Sequence, residues 1–267
     1  MDYGAMMPVF RRLALEAGAA IMEIYNRDDV DVRSKADASP VTEADEAADA
    51  IIRAGLADHF SDIPVVTEEF AASQELKADT FIIVDPLDGT SEFVEKTGEF
   101  TVNIALMKHN KPWLGFVVLP QVGMVYAGGD TLEPVVYDQE DWWPCRDPRE
   151  NNTLKVVVSG RAANSDAIAA FKQRLNERGT PYELVFLGSA YKYCELLKYR
   201  YAIYPRYGLT SHWDTAAGQA LLAAAGGAIV ISSGQDLSYP SSTLLNSPFL
   251  ALSYGCADAK QDWLSLF

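Results

Sequence analysis

The sequence predicts a mixed α/β protein in two parts, an N-terminal α+β part over residues 1–145 and a C-terminal α/β part over residues 146–267. Three observations carry this. The opening residues repeat apolar side chains at helical spacing. Between Phe100 and Gly129, apolar runs follow one another with only short turns between them, as antiparallel strands do. From Leu154 onward, strand-like and helix-like segments alternate, as in a layered α/β unit.

Taken in order, Met6 to Asn26 reads as a helix whose stripe is Val9, Leu13, Leu15, Ala19, Ile21, Met22 and Ile24. Asp28 to Ala38 is polar and reads as a strand and loop around Val30 and Val32. Pro40-Val41-Thr42 leads into Glu43-Ala44-Asp45-Glu46, an acid-rich helix start that suits the helix dipole. That helix runs to about Phe60. Pro64 to Val66 is a short strand ending at Thr67-Glu68-Glu69, and Phe81 to Val84 is a buried strand. Phe100–Lys108, Pro112–Leu119 and Met124–Ala127 are further strands, with Gly128-Gly129 as a turn. From Thr131 to Asn152 the pattern weakens. The stretch Asp141 to Pro148 reads as irregular and as the junction between the parts.

In the second part Leu154–Ser159, Glu183–Leu187, Tyr201–Tyr204 and Ala228–Ile231 read as strands. Ser165–Arg178, Ala190–Leu197 and Trp213–Ala225 read as helices, the last closed by Gly226-Gly227.

Hydrophobic residues make up 49% of the 267 and charged residues 22%, which suits a folded protein with a sizeable core. A net charge of −15 argues against duplex nucleic acid as a partner, which needs a basic face. It does not argue against a small phosphorylated ligand, because bound cations reverse the local sign. Cys145, Cys194 and Cys256 form neither a redox pair nor a zinc spacing and read as reduced thiols. No signal peptide or membrane span is read, so a cytoplasmic enzyme without an integral membrane segment is expected.

The most informative stretch is Asp85-Pro86-Leu87-Asp88-Gly89-Thr90-Ser91. Two carboxylates three residues apart, directly after a buried strand, converge at its C-terminal end. Clustered oxygen ligands suit a hard divalent cation. The amides around Gly89, Thr90 and Ser91 suit an anion beside it. Cation and anion together point to phosphate chemistry.

Other acids stand at element ends: Glu68 and Glu69 after a strand, and Asp214 at the start of an alanine-rich helix. Carboxylates from separate segments are what a two-metal phosphoryl transfer needs. Singly, each has a plainer reading. Asp214 is a helix cap, Glu68-Glu69 is surface charge, and Asp88-Gly89 is a turn. Only the whole Asp85-to-Thr90 motif resists such an account. Thr90 beside Asp45 is able to orient and deprotonate a water; alone, Asp45 is a first-turn helix acid. Gly188-Ser189-Ala190-Tyr191-Lys192 enters a helix whose first amides, with Lys192, suit a second anion, although Lys192 alone is a surface lysine. Arg206 is a candidate for bidentate phosphate contact. His59, His109 and His212 are unclustered and read as surface or structural.

Val41-Thr42-Glu43-Ala44-Asp45, Thr67-Glu68-Glu69, Asp85-Pro86-Leu87-Asp88-Gly89-Thr90 and Trp213-Asp214-Thr215-Ala216-Ala217-Gly218 resemble the four signature blocks of the inositol monophosphatase superfamily, in that family's order. Gly98 to Leu106, Gly188 to Cys194 and Tyr204 to Gly208 are similar to the 3′(2′),5′-bisphosphate nucleotidase (CysQ-type) branch.

The resemblance implies a layered α-β-α-β-α sandwich of the sugar-phosphatase type. It implies two or three Mg²⁺ ions on Glu68, Asp85, Asp88, Asp214 and the carbonyl of Leu87. Asp45 and Thr90 would activate the nucleophilic water, with Glu69 supporting an additional ion. Gly89, Thr90 and Ser91 would hold the scissile phosphate. Gly188, Ser189, Lys192 and Arg206 would contact the rest of a nucleotide bisphosphate. The implied reaction is hydrolysis of the 3′-phosphate of adenosine 3′,5′-bisphosphate to AMP, extending to its sulfated analogue, by in-line attack without a phosphoenzyme. Lithium sensitivity, a place in sulfur metabolism and a homodimer are family traits. An inositol or sugar monophosphatase is the second reading, and a catalytically silent binder of phosphorylated ligands the third.

Three departures stand out: Ala190 where the branch carries a second serine, Thr67 for the family's serine, and Ser159-Gly160-Arg161 where relatives carry a serine–arginine or serine–histidine combination.

Overall fold

The central strands are buried on both faces, and each strand face meets a different layer. In the computed structural model, which describes residues 3–27, 32–34, 40–138, 140–145 and 153–267, this sorts the chain into two main sheets and three helical layers.

The N-terminal elements are α1 (Tyr3–Tyr25), β1 (Val32–Ser34), β2 (Pro40–Thr42), α2 (Glu43–His59), β3 (Val65–Thr67), β4 (Thr80–Asp88), α3 (Thr90–Val94), β5 (Thr101–Lys108), β6 (Lys111–Leu119), β7 (Met124–Gly129), β8 (Leu132–Tyr137) and β9 (Trp142–Pro144). β1 and β2 form a small ribbon. β3 to β9 form one sheet in sequence order, antiparallel throughout except for the β3–β4 pair.

The rest is β10 (Leu154–Val158), α4 (Asp166–Glu177), β11 (Tyr182–Phe186), α5 (Tyr191–Leu196), β12 (Ala202–Arg206), α6 (His212–Ala224), β13 (Ala228–Ile231), β14 (Phe249–Leu252), α7 (Tyr254–Ala257) and α8 (Lys260–Leu264). The second sheet runs β11-β10-β12-β14-β13. β10 is parallel to β11 and β12, and β14 is antiparallel to β12 and β13.

Three apolar clusters glue the layers. Val102, Ile104 and Leu106 of β5 face α1 and α2 through Phe10, Leu13, Ile21, Ile52 and Leu56. The next residues along the same strand, Ala105 and Met107, face the other way, onto Tyr193 of α5 and Ala216, Ala217 and Leu221 of α6. Those two helices also pack on Tyr204 and Phe249 of the second sheet. The outer face of that sheet, with Val156, Ile203 and Leu250, is covered by Ile168, Phe171 and Leu175 of α4 and by Cys256 and Leu266. The order is α-β-α-β-α, as the resemblance implies.

Several local expectations need correcting. The buried stripe of α1 is Met6, Phe10, Leu13, Ala14, Ala17, Ile21 and Ile24, and Ala19 is exposed. Gly128-Gly129 is not a turn. Both lie in β7, and the reversal is made one step later at Asp130-Thr131, where the aspartate is the natural turn former. The weak region beyond Thr131 contains β8 and the edge strand β9, whose half-exposed faces blur the apolar alternation. β4 runs through the Asp85 motif to Asp88, with a register shift against β5 between those two residues. Val30 and Arg146–Asn152 lie outside the described residues.

Candidate active site

The irregularity at the end of β4 aims the motif. Pro86 has no backbone donor, and the register shift between Asp85 and Asp88 lets both carboxylates turn to the same end of the strand. Gly89 then takes φ +92, a conformation that costs other residues and that lets α3 start at once. A Cβ there would also sit 3.2 Å from Ser189 Cβ. The Asp85 carboxylate accepts from the Leu87 amide at 3.1 Å.

α6 supplies the third acid. Its first turn is a capping box in which Asp214 Oδ2 accepts from the Ser211 amide at 2.7 Å. Ser211 is therefore the cap, and Asp214 is the N3 residue. Ligand oxygens of Asp85, Asp88 and Asp214 all lie within 4.8 Å of one another. Burial pushes the carboxyl pKa values of Asp88 and Asp214 up, and the charge of Asp88 raises Asp214 further. Three crowded carboxylates with oxygen-only donors fit a hard divalent cation, whose charge would offset their repulsion. Glu68, just past β3, stands outside this trio, yet its charge adds to the raising of Asp214. Glu69 follows it, half-buried.

Asp88 is held from three sides through Oδ2. The Ala190 amide donates at 2.6 Å, Asn103 Nδ2 at 3.2 Å and Thr101 Oγ1 at 3.5 Å. The remaining oxygen, Oδ1, is the one a cation would take. Asp45 and Thr90 meet as expected. Thr90 Oγ1 donates to Asp45 Oδ1 at 3.1 Å and lies 3.3 Å from the Leu87 carbonyl. Asp45 is also the N3 acid of a second capping box, its Oδ2 accepting from the Thr42 amide at 2.8 Å and the Thr42 hydroxyl at 2.7 Å.

A cavity of about 540 Å³ opens beside these groups. Asp88, Gly89, Ser91, Asp214, Ser189, Lys192 and Arg206 all line it. Lys192 is buried, and burial pulls its pKa down to about 8 although Asp88 pulls the other way. Arg206 is fixed by its own loop, donating to the carbonyls of Gly208 and Leu209 at 3.2 and 2.9 Å. The amides of Gly188 and Ala190, read from the sequence as anion donors, are engaged by the carboxylates of Glu99 (2.8 Å) and Asp88. Ser189, at φ +44, and Lys192 are the groups of this segment that face the cavity.

Sequence reasoning passed over Glu99, Thr101 and Asn103. The available signal was two polar residues, Thr101 and Asn103, alternating with Val102 and Ile104 in a strand that continues with the apolar Ala105, Leu106 and Met107. Another part of the lining was also missed. Val158, Ala162, Ile168 and Tyr207 give it apolar surface beside the polar Ser159, Arg161 and Ser165, and Tyr207 stacks on Phe267 with ring centres 4.4 Å apart and 15° between planes. Of the histidines, His212 is buried edge-on to Tyr239, and burial lowers its pKa to about 4.

Comparison with known proteins agrees with this geometry. The model of the Inositol monophosphatase family matches residues 3–261. The 3′(2′),5′-bisphosphate nucleotidase CysQ of Escherichia coli O6:H1 is 40% identical over 251 residues, covering 91% of this chain and 98% of that protein. The protein of the same name from Buchnera aphidicola is 34% identical over 259 residues, covering 92% and 93%. The crystal structure of CysQ from Bacteroides thetaiotaomicron superposes with a TM-score of 0.81 at 30% identity, covering 95% of this chain and 98% of that one. The chain belongs to the inositol monophosphatase family of metal-dependent phosphatases.

Proposed function

We propose that this phosphatase is a Mg²⁺-dependent 3′(2′),5′-bisphosphate nucleotidase that removes the 3′-phosphate of adenosine 3′,5′-bisphosphate and also accepts its sulfated analogue. The observation that carries the substrate class is the composition of the cavity. Asp88 and Asp214 of the acidic cluster line it together with the cations Lys192, Arg206 and Arg161, and with the apolar or flat side chains of Val158, Ile168 and Tyr207. A bisphosphate needs cations beyond the reacting centre, and a nucleoside needs a flat apolar surface for its base. An inositol monophosphate needs neither. The names of the CysQ relatives point the same way.

In this reading Asp85, Asp88, Asp214, Glu68 and the Leu87 carbonyl hold the ions, with Glu69 supporting a further one. When bound, Mg²⁺ lowers the pKa of water and stabilises the leaving oxygen. The chain does the rest. Thr90 donates to Asp45, so its hydroxyl is set to accept a proton from a water and pass one to the carboxylate. Gly89, Thr90 and Ser91 cradle the scissile phosphate at the start of α3. Ser189, Lys192 and Arg206 hold the other phosphate, and Gly188 shapes their turn. Attack is in line, with no covalent intermediate. The enzyme works in the cytoplasm, and a homodimer fits the family.

The test is phosphate release in Mg²⁺ from adenosine 3′,5′-bisphosphate, its sulfated analogue and inositol monophosphates. A kcat/KM preference for the nucleotides of a hundredfold or more, on the order expected when buried cations lose their partner, supports the reading. A preference for inositol phosphate overturns it, and binding without release would make the chain a silent binder.

A further inference from the structure

We propose that Asn103 is a positioning residue, present to fix the rotation of the Asp88 carboxylate for cation binding. The proposal rests on the reading above that Asp88 is a metal ligand.

Asn103 sits on β5 directly opposite Asp85 of β4 and is 1% exposed. It shares a strand face with Ala105 and Met107, which pack into the middle apolar cluster. Its side-chain hydrogen bond is the one from Nδ2 to Asp88 Oδ2 at 3.2 Å. An ionised carboxylate only accepts, so the amide must present its NH₂ group there. The consequence is on the other side of the amide. Asn103 Oδ1 is buried and has no hydrogen-bond donor among the described residues.

A buried carbonyl without a donor weakens a fold, whereas an apolar side chain of the same shape at that place would not. The surroundings favour such a replacement, because Ala105 and Met107 on the same strand face, and Val117 opposite on β6, are all buried and apolar. Removing the amide would not strand Asp88 either, since the Ala190 amide and Thr101 still donate to it. Folding alone therefore favours leucine at position 103. What leucine cannot do is help three donors converge on Oδ2 and turn Oδ1 toward Asp85 and Asp214. Outer partners of this kind set the orientation of metal-binding carboxylates, and losing one weakens metal affinity ten- to a hundredfold.

The test compares the full chain with its Asn103→Leu variant in two measurements, neither needing substrate. Thermal melting in a chelator reads the fold, and calorimetric titration with Mg²⁺ reads the site. The expected result has opposite signs: the variant melts at or above the wild-type temperature, and its Mg²⁺ dissociation constant rises about ten- to a hundredfold. A variant that melts lower, or fails to fold, makes Asn103 an ordinary structural residue and overturns the proposal. So does unchanged Mg²⁺ affinity. If the wild-type chain itself takes up no Mg²⁺, the metal reading fails first, and that result is visible without the variant.

Discussion

Asp45 and Asp214 each serve two purposes with two oxygens. One oxygen closes a capping box at the start of a helix, to Thr42 in one case and Ser211 in the other. In Asp45 the other oxygen takes the Thr90 hydroxyl, and in Asp214 it lies with the acidic trio. The two purposes separate in Asp45→Asn. The asparagine side-chain oxygen can still accept from Thr42 at the N3 position of the capping box, so the melting temperature should stay close to wild type. Its amide NH₂ cannot accept the Thr90 proton, so kcat should fall by about 10²–10⁴, the usual size of a lost general base. Steady-state kinetics beside a thermal melt checks both, and a large loss of stability with activity to match would make Asp45 a cap and nothing more. The same duality limits what the sequence discloses. An acid three residues into a helix looks identical whether it caps or catalyses, and for these two acids the capping bonds are present beside the roles proposed for them. Asp85 and Asp88 were legible because a cap does not need both.

At the scale of elements, Asp214 is placed by how closely α6 approaches β6. A Cβ on Gly115 would sit 2.3 Å from the Ala217 carbonyl, which is backbone and cannot swing away. Gly115→Ala should therefore push α6 off the sheet, costing about 1–3 kcal/mol as overpacking does. Because Asp214 rides on the same helix, Mg²⁺ affinity should fall together with stability. This joint loss contrasts with the opposed signs expected at Asn103. Chelator melts and Mg²⁺ titration read it, and an unchanged melting temperature would show that the helix can move freely. The long elements with clear periodicity, α1, α2, β5, β6 and α6, were legible as a type and nearly in extent, whereas β4 runs on from Val84 to Asp88. β8 and β9 were not, since strands whose residues are mostly half-exposed lose their alternation. β14, α7 and α8 are four or five residues each, too short for a period to register.

Across the whole molecule, the two parts are joined at the site by backbone amides of one and carboxylates of the other. Gly188 donates to Glu99, 89 residues away in sequence, and Ala190 donates to Asp88, 102 residues away. No pattern in the chain announces such pairs, because neither partner sits in a periodic run. Their closeness follows from the folding of both sheets against the α5–α6 layer. This crowding sets a pH dependence whose sign can be worked out. Asp88 and Asp214 have raised carboxyl pKa values in the folded chain, from burial first in both and, at Asp214, from the charge of Asp88 second. The metal-free folded state thus keeps protons that the unfolded chain has released, and its stability falls as pH rises above the ordinary carboxylate range toward the raised values. Mg²⁺ needs the deprotonated oxygens and removes that penalty on binding. The melting-temperature gain from saturating Mg²⁺ over chelator should therefore increase between about pH 5 and about pH 8, where carboxylate deprotonation and metal affinity are linked. His212, whose pKa is lowered to about 4, titrates in both arms and cancels from the difference. A gain that stays flat across this range would mean that the cation is held by acids already ionised at pH 5, away from the Asp88–Asp214 pair.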